Sequence, residues 1–240
     1  MEDEYSYDLF VSKHRRDINC LLDQVSIPSL YSLNYYNTFQ DRNIRKTAFD
    51  KLLSEIFGVN NKEYLINLTR EYLLTPVLKC LEDKIEKIRE SAVKMIMKLM
   101  NTIELDDKMN NLILTSIISR LNHVPFPETC NNLLKLLCIA EELRQQLIKV
   151  IDNYLTKYPN EIIPVISEMS NMISKLLTDP CPEVKIKLSE LLINLSAKLN
   201  KVIGPHMKGI ILSLCNNLKH QHNKIRKITV LVITFIYHRL

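Results

Sequence analysis

Glycine is nearly missing: the chain has three in 240 residues. With so little of the residue that tolerates positive φ, tight turns are few, which excludes a hairpin-rich all-β fold. Tryptophan is absent. No uninterrupted apolar run reaches the roughly 18 residues of a membrane span. The start, Met1-Glu2-Asp3-Glu4-Tyr5, is acidic. It has neither the basic flank nor the apolar core of a secretory signal, so the chain reads as intracellular. Six cysteines (Cys20, Cys80, Cys130, Cys138, Cys181, Cys215) are scattered without a C-x-x-C pair. In a reducing compartment such thiols act as small buried hydrophobes.

Catalytic and cofactor motifs are also wanting. There is no glycine-rich phosphate loop and no H-E-x-x-H helix. One close histidine pair exists, His220 and His222, and the only thiol or carboxylate near it in sequence is Cys215. Too few ligands stand there for a metal site. Glu141-Glu142 and Asp106-Asp107 read as solvated charge at helix surfaces or starts. No catalytic residue, cofactor or metal is assigned. Acidic residues vanish after Glu190, while residues 191–240 carry eight lysines and arginines. Such an end suits an acidic partner, or is a solvated face whose acidic neighbours lie outside this sequence. It lacks the interleaved aromatics of a nucleic-acid surface, which disfavours nucleic acid as a partner.

What is present is helical periodicity. Ile85, Ile88, Ala92, Met95, Ile96 and Leu99 recur at three- and four-residue steps, and Leu188, Leu191, Leu192 and Leu195 repeat the pattern. The spacing predicts helices near 5–23, 40–57, 61–82, 85–103, 106–122, 127–157 (as one helix or two), 160–178, 182–199, 205–219 and 222–240. Asp106 and Asn160 suit N-caps. Pro180 and Pro182 suit a helix start, as do Pro125 and Pro127. Pro76 predicts a kink or break.

The stretches at 81–89, 177–185 and 218–226 share one pattern. Each has a leucine, a polar residue two on, a β-branched residue seven on, and then a basic residue. These are Leu81, Asp83, Ile88 and Arg89; then Leu177, Asp179, Val184 and Lys185; then Leu218, His220, Ile225 and Arg226. Ile44-Arg45 is a weaker copy, and Pro125-Phe126-Pro127-Glu128-Thr129 lines up as a fifth. Anchors at 44, 88, 129, 184 and 225 recur at 41 to 55 residues, close to the HEAT and armadillo period. One helical hairpin cannot bury both apolar faces, so hairpins stack and share a core. The expected fold is therefore all-α, a HEAT-like α-solenoid, with residues 1–38 as an N-terminal helical cap and residues 39–240 as about five repeats. The apolar helix 226–240 has no polar capping repeat after it, so the array is expected to continue in a longer protein or to dock a partner there.

The run Asp179-Pro180-Cys181-Pro182-Glu183-Val184-Lys185, then Ile203-Gly204-Pro205, then His220-Gln221-His222-Asn223-Lys224-Ile225-Arg226 resembles the HEAT-repeat dynein axonemal assembly factors. So does Pro127-Glu128-Thr129-Cys130-Asn131-Asn132-Leu133. That family carries tryptophan where this chain has Asn223. The resemblance implies a cytoplasmic scaffold, in ciliated cells, for preassembly of axonemal dynein arms. It implies dynein intermediate or heavy chains and chaperones as partners, and no catalytic residues. Asp83 with Arg89 and Asp179 with Lys185 resemble the ladder of HEAT turns. His220, Gln221, His222, Lys224 and Arg226 match the family's turn motif, as stacking residues first and as a possible partner contact second. A generic HEAT adaptor, of the transport-receptor or phosphatase-scaffold kind, is the second reading.

Overall fold

The computed structural model describes residues 2–22, 35–58, 61–123 and 141–239. All regular structure among them is helical. No helix of the described residues is long and apolar enough to cross a membrane. The chain divides into two compact units, Met1–Met109 and Asn110–Leu240.

In the first unit α1 (Glu2–Leu22) packs on α2 (Tyr35–Glu55). The boundary drawn at residue 38 falls inside α2. A long helical run follows, made of α3 (Lys62–Leu68), a π-helical turn (Thr69–Leu73) and α4 (Leu74–Lys79). Asn61 opens it by accepting from the amides of Glu63 and Tyr64 at 3.1 and 3.3 Å. The π turn sits just before Pro76. Proline has no N–H to give the carbonyl four residues back, and a wider turn relieves that gap. The break expected at Pro76 is thus a local change of helix type. α5 (Glu86–Thr102) packs on α2 and α4, and α1 packs on α4, giving two helix layers.

α6 (Asp107–His123) starts where Asp106 accepts from the Met109 amide at 2.8 Å. In the second unit, α7 (Glu141–Lys157), α9 (Pro182–Ile203) and α11 (Asn223–Tyr237) form one layer. α8 (Ile166–Leu176) and α10 (Met207–Asn217) form the other. Pro182 occupies the first turn of α9 as its missing N–H allows. The backbone of α9 leaves helical geometry at Leu199 (φ −128°, ψ 35°), where the sequence placed the helix end. Asn160 does not cap an α-helix. It lies in a 3-10 turn, Pro159–Val165, and α8 begins only after Pro164. The pairs Pro125 and Pro127 fall outside the described residues.

One face recurs in the layer helices. A basic residue and the positions four, seven and eleven further on are buried together. They are Arg45, Phe49, Leu52 and Ile56 along α2 and the turn after it, and Arg89, Val93, Ile96 and Met100 in α5. In α7 they are Arg144, Ile148, Ile151 and Leu155, and in α9 Lys185, Ser189, Leu192 and Ser196. At 3.6 residues per turn these positions form a single stripe. Each buried aliphatic side chain on it contributes about 1.5–3 kcal/mol. This is the repetitive packing of an all-α fold of the HEAT-like α-solenoid class, in which each helical hairpin buries its apolar face on a neighbour.

Candidate binding surface at the repeat turns

The turn between paired helices is built the same way three times. Asp83 accepts from the Ile85 amide through Oδ1 at 2.8 Å. Asp179 accepts from the Cys181 amide at 2.9 Å. His220 stands in for the acid, and its Nδ1 accepts from the His222 amide at 3.1 Å. In two of the three turns the arginine at the start of the following helix closes the turn from the other side. Arg89 Nη1 donates to the Asp83 carbonyl at 2.6 Å, and Arg226 Nη1 donates to the His220 carbonyl at 2.6 Å and the Gln221 carbonyl at 2.9 Å.

The acids are then claimed by arginines of the preceding hairpin. Arg45 Nη2 reaches Asp83 Oδ2 at 3.4 Å, with both side chains nearly removed from water. Arg144 pairs with Asp179 through one hydrogen bond, Nη2 to Oδ1 at 3.0 Å, with Nε 2.8 Å from Oδ2 in the ion pair. A charge-assisted bond of this kind is stronger than one between neutral groups. Burial pushes the Asp179 carboxyl above the usual carboxylate range, against the Cys181 amide and Arg144, which favour its charged form. Burial likewise lowers the Arg89 guanidinium and the Lys185 ammonium from their ordinary values. Asp179 pulls Lys185 the other way, but its ion pair is with Arg144.

The last rung is different. Lys185 holds the position of Arg144 one repeat on, and the turn it faces offers His220. Burial, then Lys185, His222 and Arg226, hold the His220 imidazole below the ordinary histidine value. A neutral ring is what the turn needs, because only an unprotonated Nδ1 accepts from the His222 amide. The rings of His220 and His222 stack at 5.4 Å. Gln221 Nε2 lies 3.4 Å from His222 Nε2. Lys224 is exposed.

The sequence singled out Asp83, Arg89, Asp179, Lys185, His220, Gln221, His222, Lys224 and Arg226. The structure places Asp83 and Arg89 in one turn of the first unit. The others lie in two turns of the second unit. Sequence reading missed Arg45 and Arg144 as the partners of the acids. Their signal was in the pattern: Glu141-Glu142-Leu143-Arg144 opens α7 as Glu86-Lys87-Ile88-Arg89 opens α5. The copy placed at Pro125–Thr129 lies outside the described residues; Leu143-Arg144 is a further anchor, at the start of α7. Leu143, Val184 and Ile225 are then spaced by 41 residues each.

One mixed group was not foreseen either. Ligand atoms of Glu141, Cys181 and Glu183 lie within 4.8 Å of one another. Burial, then Glu141, pushes the Cys181 thiol up to about 12, so it is a protonated donor, 3.5 Å from Glu183 Oε2.

Residues 38–238 match the family described as dynein axonemal assembly factor 5-like, TPR repeats. Dynein axonemal assembly factor 5 of Xenopus laevis is 22% identical over 194 residues, a match covering 80% of this chain and 22% of that protein. The chain therefore spans about a fifth of the length of that relative. An engineered protein of known structure has a similar fold, with a TM-score of 0.55 at 12% identity over 92% of this chain and 79% of its own. A designed armadillo repeat protein aligns with a TM-score of 0.38 at 15% identity over 92% of this chain and 98% of its own. The family description names TPR repeats, whose period is about 34 residues; the 41-residue spacing here is that of the HEAT class.

Proposed function

The chain belongs to the dynein axonemal assembly factor 5-like family, and on that premise we propose that it is part of a cytoplasmic scaffold for preassembly of the dynein arms of motile cilia. It acts by binding proteins and not by catalysis. The observation that carries this reading is the family match across 38–238, which spans both units. Stacked hairpins support it physically, because helices repeated side by side give an extended surface on which affinity is spread over a few anchors. Its partners on this reading are dynein intermediate or heavy chains, held together with chaperones before transport into the cilium. The exposed lysines of the acid-free part, among them Lys198, Lys201, Lys224 and Lys227, favour an acidic partner surface and faster encounter with it.

Depletion of the protein in cells building motile cilia tests the reading. Axonemes in cross-section should lack dynein arms, and re-expression should restore them. Axonemes with their full set of arms after depletion would leave the generic adaptor for transport cargo or phosphatase subunits as the better account.

A further inference from the structure

The turn ladder sets a cation of each hairpin against the turn of the next one. Arg45 meets Asp83 in the first unit, and Arg144 meets Asp179 in the second. Lys185 takes that position in α9, and the turn it faces, between α10 and α11, lies wholly inside the chain. Lys185 is 7% exposed and makes no ion pair among the described residues. The residue in the place of the acid, His220, is a second donor. Its Nδ1 accepts from the His222 amide, so the neutral ring carries its proton on Nε2. No acceptor takes that N–H among the described residues. After burial, the influence that weighs most on the His220 ring is the charge of Lys185, ahead of His222 and Arg226.

A buried ammonium without a counter-charge is costly, and a second donor beside it adds to the demand for an acceptor. We propose that Lys185 and His220 form a site for a single oxyanion group, a carboxylate or a phosphate, set where the other turns carry their own aspartate. The ammonium supplies charge and the imidazole N–H supplies direction. α11 starts beside them with no side-chain cap, so the amides of its first turn add positive potential. The surrounding charge has one sign. Lys219, Lys224 and Arg226 flank the turn in a stretch with no acid after Glu190. The carboxylate that Lys185 does feel, Asp179, is held by Arg144. A free anion and the acidic side chain of another protein share this chemistry, and the experiment separates them.

The test uses the whole 240-residue protein and two probes, inorganic phosphate and the tripeptide Gly-Asp-Gly with both ends blocked. Ionic strength is held constant with chloride. Backbone amide signals of residues 219–224 are followed by NMR as each probe is added. They should move and saturate with one probe or both. Lys185→Met keeps the buried stem, removes the charge, and should weaken binding about tenfold or more. Lys227→Met removes an exposed lysine of the same helix and should leave binding unchanged. His220→Asp keeps an acceptor for the His222 amide, places a carboxylate in the site, and should abolish the saturable shift. Saturation by phosphate alone supports the site and assigns it to a free ion. Saturation by the peptide supports it and assigns it to an acidic side chain. No saturable shift with either probe overturns the proposal. So does a shift that survives His220→Asp, or one that Lys227→Met weakens as much as Lys185→Met. The assay contains no dynein chain, so its outcome and the arm counts are independent.

Discussion

Two residues decide whether the turn ladder is structural in the way described. Asp179 is fully buried and holds Arg144 by an ion pair with one hydrogen bond. Replacing it with alanine leaves an arginine buried without its counter-charge, which costs about 3–5 kcal/mol. Urea unfolding of Asp179→Ala measures this, and a loss under about 1 kcal/mol would show that water already shares the pair. His220→Asp is the reverse experiment. It restores the acid that the other turns carry, keeps the acceptor for the His222 amide, and gives Lys185 a carboxylate to face. The midpoint should rise, by about 1 kcal/mol for one charge-assisted bond. An unchanged or lower midpoint would mean that Lys185 does not play the part of Arg144.

The histidines also set a pH dependence. His14 is buried, with Nδ1 unpartnered among the described residues. Burial, then Lys13, lowers its pKa, while Glu55 and Asp17 oppose the shift. His220 is lowered as well. Each ring is easier to protonate in the unfolded chain, so each contributes stability that is present above the unfolded value of about 6.5. That stability is lost as pH falls through the lowered folded value. The thermal midpoint should drop between about pH 7.5 and about pH 5.5, and less so in His220→Asn. A midpoint that does not move over this range contradicts the burial of His14.

At the scale of the element, buried and exposed positions of the helices separate core from surface. Leu192→Ala in α9 removes a buried side chain and should cost about 2–5 kcal/mol. Val230 in α11 is 53% exposed, and Val230→Ala should change stability by less than about 0.5 kcal/mol. Guanidinium unfolding of the two variants checks the contrast, and equal costs would place α11 under cover.

Most helices were legible in the sequence at this scale, because long three- and four-residue periodicity survives any tertiary context. What was not legible lay at the irregular joints. The π turn before Pro76 and the 3-10 turn holding Asn160 both arise from a proline that withholds one N–H. Sequence shows that a bond is missing there, but not which helix type absorbs it. The turn residues were legible as a pattern, and their partners were not. Asp83 and Asp179 stood out by spacing, whereas Arg45 and Arg144 meet them 38 and 35 residues away. Spacing inside one turn says nothing about a bond to the previous hairpin.

At the scale of the molecule, family membership and stacked hairpins support the proposed binding scaffold, and the chain spans about a fifth of its Xenopus laevis relative. The most direct test of that claim is affinity purification of the tagged protein from the cytoplasm of cells building motile cilia, with partners identified by mass spectrometry. The account predicts axonemal dynein chains recovered together with chaperones. Recovery of transport cargo or phosphatase subunits, with no dynein chain among them, would contradict it.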